Sequence, residues 1–255
     1  PWLEPTGFSD LRFAAPLPLP AAVTRECRIT ARSQSWLLQD GVMTRMCHVR
    51  LQSRDLAPNL RRINHFSPLA RGMVFLAAAA GSLPPLWEGE MTATGPELPL
   101  EAFYAHCGMA EGWRLVEELV PAGNDLWQGR FDGRAQGIAP AGKSGYCSLL
   151  SAVDAILQAA CRIMEDTVPG EEVAGGRLLW PQGWRLSGIG FIRFADTERL
   201  CDARMPWRIQ LHRGWDDERL QRYDAQVVDA DGRVLLTLHQ MEFEKDVRPQ
   251  EGAGA

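Results

Sequence analysis

Hydrophobic and polar residues follow a helical spacing in the stretch LLSAVDAILQAA, Leu149–Ala160. Apolar residues recur there at intervals of three and four, which turns one face of an α-helix toward a core. We expect the helix to begin after Ser148, a favourable N-cap residue, and to run to about Glu165. Asp154 and Gln158 lie one helical turn apart beside the apolar face. The pattern therefore predicts a largely buried helix that carries a carboxylic acid.

Alternating apolar and polar residues predict antiparallel strands in the first third of the chain. The candidates are Leu11–Pro20, Glu26–Gln34, Met43–Asp55 and Ile63–Ala79, with a turn at Asp40 and Gly41 between the second and the third. From Gly81 to Leu100 the chain is rich in Pro, Gly and Glu and has no apolar periodicity. Such a composition is typical of a linker between two units.

Further strands surround the helix in the second half. We expect a short helix near the start of PLEAFYAHC, a strand from Trp113 and another strand in DLWQGRFDG. Three strand-rich stretches follow the long helix: RLLWPQGWRLSGIGFIRFAD, PWRIQLHRGW and RLQRYDAQVVDADGRVLLTLHQMEFEKD. In the last of them, Asp231-Gly232 predicts a two-residue hairpin turn. A bent antiparallel sheet around one apolar helix would bury that helix on nearly every side, and this arrangement is the hotdog fold.

The chain therefore divides into two units and a tail. We assign residues 1–95 to a partial N-terminal hotdog, 96–247 to a C-terminal hotdog that contains the Asp154 helix, and 248–255 to a flexible tail. The 255 residues suffice for one large domain or two of modest size. Because the chain opens on Pro1 without an initiator Met, we expect it to be part of a longer protein.

Composition and charge exclude several classes of function. Apolar residues make up 45% and charged residues 23%, which is typical of a folded globular protein. The net charge is -5, and the basic residues are scattered along the sequence without forming a stripe, so we expect no nucleic-acid partner. No apolar run is long enough for a membrane span and no signal peptide is visible. These features predict a cytoplasmic protein without membrane contact.

Other common site motifs are missing from the sequence. The six cysteines are dispersed without C-x-x-C or Cys/His spacing, which predicts free thiols in a reducing compartment and no zinc site. Gly183, Gly188 and Gly190 do not lead from a strand into a helix, so a phosphate-cradling loop is not expected. Ser148 and Ser151 lack the G-x-S-x-G context of a serine hydrolase.

The second half resembles the dehydratase domains of modular polyketide synthases and related fatty-acid-type megasynthases. In that family the second hotdog helix carries D-A-A-L-Q, and Asp154-Ala155-Ile156-Leu157-Gln158 matches it at four of five places. RLLWPQGWRLSGIGFIRF is similar to the family's strand pair after the helix, and YDAQVVDADGRVLLTLHQMEF to its closing hairpin. Upstream, LRFAAPLPLP resembles the family's strand aPLvLP.

The resemblance implies an α+β double hotdog in which the first central helix is missing or truncated in this chain. It implies a dehydratase of a polyketide or polyunsaturated-fatty-acid-type synthase, which eliminates water from a β-hydroxyacyl thioester. The substrate would be carried on the phosphopantetheine arm of an acyl carrier protein, with no bound metal or diffusible cofactor. The implied partners are the carrier protein, other synthase domains and a second copy of the chain.

The same resemblance gives Asp154 the role of the acid that protonates the departing β-hydroxyl, and Gln158 that of fixing the carboxyl or the released water. Elementary chemistry agrees, because hydroxide leaves poorly at neutral pH unless it is protonated. A carboxyl among apolar side chains is disfavoured in its charged form, so its pKa rises. The alternative is purely structural: the two side chains would hydrogen-bond each other at i, i+4 as members of a polar network.

Two departures from the family pattern leave other functions open. The family's catalytic histidine has no counterpart here, and we assign its role to none of His48, His65, His106, His212 and His239. The family's Y-G-P-x-F motif is replaced by Met109–Trp113, where only the aromatic residue is kept. A catalytically inactive dehydratase-like domain that serves as a scaffold or a carrier-docking module is therefore one alternative, and a hotdog thioesterase is another.

Six tryptophans could line an acyl tunnel or belong to the core between sheet and helix, and we favour the core. They are Trp113, Trp127, Trp180, Trp184, Trp207 and Trp215.

Overall fold

The computed structural model describes residues 3–14, 24–39, 41–56, 65–78, 83–87, 91–107, 109, 111–131, 145–167, 184–195 and 206–245. The first half contains the strands β1 (Glu4–Phe13), β2 (Thr24–Gln39), β3 (Val42–Leu56) and β4 (Ser67–Ala77). The second half contains α1 (Leu100–His106), a 3-10 turn (Glu111–Trp113), β5 (Val116–Gly123), β6 (Leu126–Phe131), α2 (Gly145–Thr167), β7 (Trp184–Phe194), β8 (Trp207–Asp216), β9 (Leu220–Val228) and β10 (Val234–Lys245).

These strands form one antiparallel sheet in the order β2-β3-β4-β1-β7-β10-β9-β8-β6-β5. The two halves join where β1 pairs with β7, with Phe8 opposite Ile192. The order β1-β4-β3-β2 on one side of this junction repeats the order β7-β10-β9-β8 on the other. The sheet therefore consists of two units of related topology that share a continuous hydrogen-bonded ladder.

Helix α2 lies at the centre of the second unit. Its inner residues are fully buried, and β5, β6, β8 and β9 pack against it. These residues are Ala152, Ala155, Ile156, Ala159, Ala160, Cys161, Ile163 and Met164. Small residues on the helix let the strands approach closely, while isoleucine and methionine fill the remaining space. The expected apolar helix within a bent sheet is confirmed.

The beginning of α2 differs from the expectation. The helix starts at Gly145, so Ser148 lies within its first turn and the predicted N-cap is wrong. Tyr146 stands three and four positions before Leu149 and Leu150, so the helical spacing of apolar residues already extends one turn further back.

Several strand boundaries also shift. The strand β1 covers Glu4–Phe13, ahead of the predicted Leu11–Pro20, and residues 15–20 lie outside the described residues. The strand predicted from Trp113 begins at Val116, because Glu111–Trp113 forms a 3-10 turn. Gly41 adopts a φ of 80°, as the expected turn requires, while Asp40 is not among the described residues. The flexible tail predicted from residue 248 is likewise outside the described part of the chain.

The described parts of the proposed linker are held by hydrogen bonds. The amide of Thr94 donates to the carbonyl of Pro121, and that of Leu98 to Leu119, both at 2.8 Å. The amide of Leu86 donates to the Gln226 side chain at 2.7 Å. The segment therefore packs along β5 and β9 in spite of its irregular sequence, and the boundary at residue 95 stays a prediction.

The hairpin between β9 and β10 forms where the sequence predicts it, but its loop is different. The Gly232 amide donates to the Asp229 carbonyl at 3.0 Å, and Gly232 has a φ of 82°. The Asp229 amide in turn donates to the Arg233 carbonyl at 3.0 Å, which closes a three-residue loop. The two-residue turn is therefore wrong, because the Asp229 carboxylate accepts from the amides of Asp231 and Arg233 and stabilises the longer loop.

We expect Asp229→Ala to lower the free energy of unfolding by about 1–3 kcal/mol, because two loop amides lose their acceptor. Asp229→Asn keeps an oxygen at that position and should recover most of the loss. Urea denaturation of the three proteins measures the difference. Equal destabilisation by Ala and Asn would show that the acceptor does not hold the loop.

Candidate active site on the central helix

The Asp154 carboxyl is half-buried on α2, and Val153 and Leu157 beside it pack against the core. Its Oδ2 accepts a hydrogen bond from the Gln158 side-chain amide at 3.1 Å. Burial raises the pKa of Asp154 above the ordinary range of an aspartate, and the hydrogen bond from Gln158 partly opposes that rise. The protonated carboxyl is thus more favoured here than it is in water.

The Gln158 side chain is buried, with 1% of its surface exposed, and all of its polar atoms are used. Its Oε1 accepts from the Leu115 amide at 3.0 Å and from the Tyr104 hydroxyl at 3.1 Å. Its Nε2 donates to the Trp113 carbonyl at 2.9 Å and to Asp154. Since the Leu115 N–H faces Oε1, the orientation of the amide is determined, and one N–H of Nε2 points at the Asp154 carboxylate while the other points at the Trp113 carbonyl.

Tyr104 completes this network, although no site predicted from the sequence includes it. It lies on α1, 2% exposed, and its hydroxyl accepts from the Val116 amide at 3.0 Å. The same hydroxyl lies 2.9 Å from the Val116 carbonyl. Burial raises the pKa of Tyr104, so the hydroxyl stays a neutral donor. The available signal was the buried helical spacing of Leu100, Phe103 and Tyr104, because a tyrosine on such a face requires a hydrogen-bond partner.

The structure thus brings Asp154 and Gln158 together as both interpretations of the pair require. The i, i+4 hydrogen bond expected from a structural pair is present. The same bond presents the carboxyl with one oxygen engaged and the other without a described hydrogen-bond partner, which is the arrangement a proton donor needs. The catalytic roles of the two residues stay predictions.

No protein-family model matches the sequence, and neither does any curated protein. The structure matches the dehydratase domain of RzxB from Pseudomonas fluorescens at 14% identity and a TM-score of 0.54, over 94% of this chain and 76% of that chain. It also matches the dehydratase domain of the CurH module of curacin polyketide synthase, at 14% identity and a TM-score of 0.60, over 94% and 77%. The chain has the double hotdog fold of these dehydratase domains. The predicted α+β double hotdog is therefore confirmed.

A third solved structure shares this fold. It is an inactive His-to-Phe mutant of the CurJ dehydratase in complex with a compound, at 13% identity and a TM-score of 0.63, over 94% of this chain and 74% of that chain. All five histidines of the present chain lie within the described residues, and none is hydrogen-bonded or ion-paired to Asp154. The structure therefore offers no described histidine as a partner of this carboxyl.

The individual histidines have other surroundings. His48 and His106 are exposed, on β3 and at the end of α1, and His65 is exposed just before β4. His212 packs its ring edge-on against Trp87, and His239 lies 3.8 Å from the Asp224 carboxylate. That none of these five histidines is the base stays a prediction.

The stretch Met109–Trp113 reaches the site through its backbone. The Trp113 carbonyl accepts from Gln158, whereas 62% of the indole surface is exposed. A core position for Trp113 was thus wrong, because a 3-10 turn in front of β5 directs the side chain outward. The stretch that departs from the family motif is nevertheless in direct contact with the candidate site.

Of the other five tryptophans for which a core position was predicted, the described ones lie partly in the core and partly at the surface. Trp184 and Trp207 are buried in the core, as predicted, and Trp127 packs partly against it. Trp215 is exposed at the end of β8, where its indole N–H donates to Asp217 at 2.9 Å. Trp180 lies outside the described residues.

Among the described residues, Cys27 and Cys47 are free thiols, and no group of three or more metal-ligating side chains is found. None of the helices in the described part of the chain is long and apolar enough to cross a membrane.

The raised pKa of Asp154 predicts a pH dependence of stability. When the folded-state pKa lies above the unfolded one, the folded protein binds more protons between the two values, so stability falls as pH rises through that interval. Asp154→Asn does not titrate and keeps an acceptor for Gln158. We therefore expect the difference in melting temperature, variant minus wild type, to increase as the pH rises from about 3.5 to 7. A difference that stays constant or decreases over this range would contradict the pKa shift.

Proposed function

We propose that this chain is a dehydratase domain that removes water from a β-hydroxyacyl thioester presented by an acyl carrier protein. The proposal rests on the double hotdog fold together with a half-buried carboxyl on the central helix, held by Gln158. A rigid helix that fixes such a carboxyl in a partly apolar setting meets the main requirement of a general acid.

In the proposed reaction a base removes the proton from the α-carbon, whose acidity comes from the adjacent thioester carbonyl. The electron pair of that C–H bond forms the α,β double bond while the bond from the β-carbon to oxygen breaks. The departing oxygen takes the proton of Asp154 and leaves as water, and the Asp154 carboxylate remains. Return of the proton from the base to Asp154 restores the starting state.

Gln158 would determine which carboxyl oxygen carries the transferred proton. Its Nε2 already donates to Oδ2, so Oδ2 is an acceptor and the proton belongs on Oδ1. The carboxylate formed after transfer retains the same hydrogen bond, which favours the charged form. Gln158 would therefore act as a positioning residue in both halves of the cycle.

A second candidate is a catalytically inactive domain that serves as a scaffold or docks the carrier protein. The sequence favours this candidate, because none of its five histidines is assigned the role of the base. In this case the network around Gln158 would be structural. Its role would be to accept hydrogen bonds from the Tyr104 hydroxyl and the Leu115 amide.

The two candidates are separated by incubating the purified full-length protein with a β-hydroxyacyl-pantetheine thioester and recording enoyl-thioester absorbance. We expect enoyl product, and its formation should depend on Asp154. Absence of any product, under conditions where a dehydratase of the same fold is active, favours the inactive domain. Release of the free acid in place of the enoyl thioester would support the thioesterase alternative.

A further inference from the structure

Three arginines that are far apart in the sequence form a row across the first unit. Arg12 of β1 lies directly opposite Arg71 of β4, and Arg71 lies opposite Arg50 of β3. Leu11 and Phe13 pack against the core, so Arg12 between them points to the outer face of the sheet. Because adjacent strands lie about 4.8 Å apart, the row spans roughly 10 Å of this outer face.

Two adjoining cavities follow the row. One, of about 540 Å³, is lined by all three arginines and Gln52, together with the apolar residues Phe13, Ala14, Leu51, Pro68 and Ala70. The other, of about 470 Å³, shares Arg50 and Gln52 and adds Thr30, Arg32, Ser33, Gln34 and His48. Of the described residues that line these cavities, none is acidic. We call the two cavities together the arginine groove.

Only part of this positive charge is neutralised. The Arg12 guanidinium reaches the Glu242 carboxylate by passing over Gly188, where a Cβ atom would lie 2.6 Å from the guanidinium. Glu242 is shared with Arg222, whose Nε donates to it at 3.0 Å. Within the described part of the chain, Arg50 and Arg71 have no carboxylate partner.

In the absence of a ligand, such a row of like charges destabilises the folded sheet. Like charges directly opposite each other on neighbouring strands destabilise a sheet. The net charge of the chain is -5, so the row does not reflect a generally basic composition. A ligand of opposite charge would remove the repulsion.

We propose that the arginine groove binds a small phosphorylated molecule through its phosphate groups. Guanidinium groups bind phosphate oxygens in a bidentate manner, and the hydroxyl and amide groups of Thr30 and Gln52 supply further hydrogen bonds. Cavities of this volume accommodate small ligands, which favours a phosphorylated small molecule over an acidic protein surface. The proposal does not depend on the function of Asp154.

The experiment titrates inorganic pyrophosphate into the purified protein by isothermal calorimetry at constant ionic strength. We expect saturable binding of one pyrophosphate, weakened at least tenfold by Arg71→Gln and by Arg50→Gln. The matched control is Arg233→Gln, which should leave the affinity unchanged. Arg233 is exposed in the β9–β10 hairpin, 3.8 Å from Asp231.

Melting temperature provides a second readout for the same variants. Arg71→Gln and Arg50→Gln should melt at higher temperature than wild type at low salt, and the gain should diminish as salt screens the charges. Non-saturable binding, an equal loss with Arg233→Gln, or tighter binding of hexaglutamate than of pyrophosphate would each overturn the proposal. Loss of binding accompanied by a lower melting temperature in both variants would do so as well, because it would show that the arginines support the fold.

Discussion

Asp154→Asn should lower the rate of enoyl-thioester formation by about 10²–10⁴, the range typical for removal of a general acid. The amide cannot donate a proton to the departing hydroxyl, whereas it keeps the size of the side chain and an oxygen for Gln158. The melting temperature at neutral pH should be unchanged or higher, because a half-buried carboxylate is replaced by a neutral group. Steady-state kinetics and thermal denaturation of the same preparation measure both effects.

Asp231→Asn is the matched control for this prediction. Its carboxylate lies at the exposed β9–β10 hairpin, 3.8 Å from Arg233, and its removal should affect neither rate nor stability. An Asp154→Asn variant that retains dehydration within a factor of a few would exclude Asp154 as the acid. A variant that loses activity because it no longer folds would instead support the structural interpretation of the pair.

Gln158→Leu should reduce the free energy of unfolding by roughly 2–4 kcal/mol. The substitution leaves the buried Leu115 amide without its acceptor and removes the donor to the Trp113 carbonyl, while the volume changes little. It also releases the Asp154 carboxyl, so dehydration should fall together with stability. Urea denaturation gives the stability change, and the thioester assay at a temperature where the variant is folded gives the rate.

Tyr104→Phe tests whether Tyr104 and Gln158 stabilise the fold through one shared hydrogen-bond network. The hydroxyl serves Val116 and Gln158, so its removal should destabilise the protein by about 1–2 kcal/mol. Because the two residues share a hydrogen bond, the double variant should be less destabilised than the sum of the single variants. Additivity within about 0.5 kcal/mol would mean that the residues act independently.

The sequence by itself determined the local elements. The spacing of three and four in Leu149–Ala160 predicts α2, and the same spacing places Asp154 and Gln158 one turn apart. The alternation of apolar and polar residues predicts the strands but not their ends. The first and last residue of a strand depend on the neighbouring backbone as well as on the residue pattern. The hairpin loop illustrates this limit, since the Asp229 carboxylate selects a longer loop than Asp231-Gly232 alone suggests.

Only the tertiary structure decided which distant residues become neighbours. Tyr104 meets Gln158 across 54 positions of sequence because α1 and α2 pack against the same strand. The arginines that are scattered along the sequence become a row because strand order and register place Arg12, Arg71 and Arg50 side by side. Register is determined by pairing along the whole sheet and is not encoded in the pattern of any single strand, so these two groupings could not be predicted from the sequence.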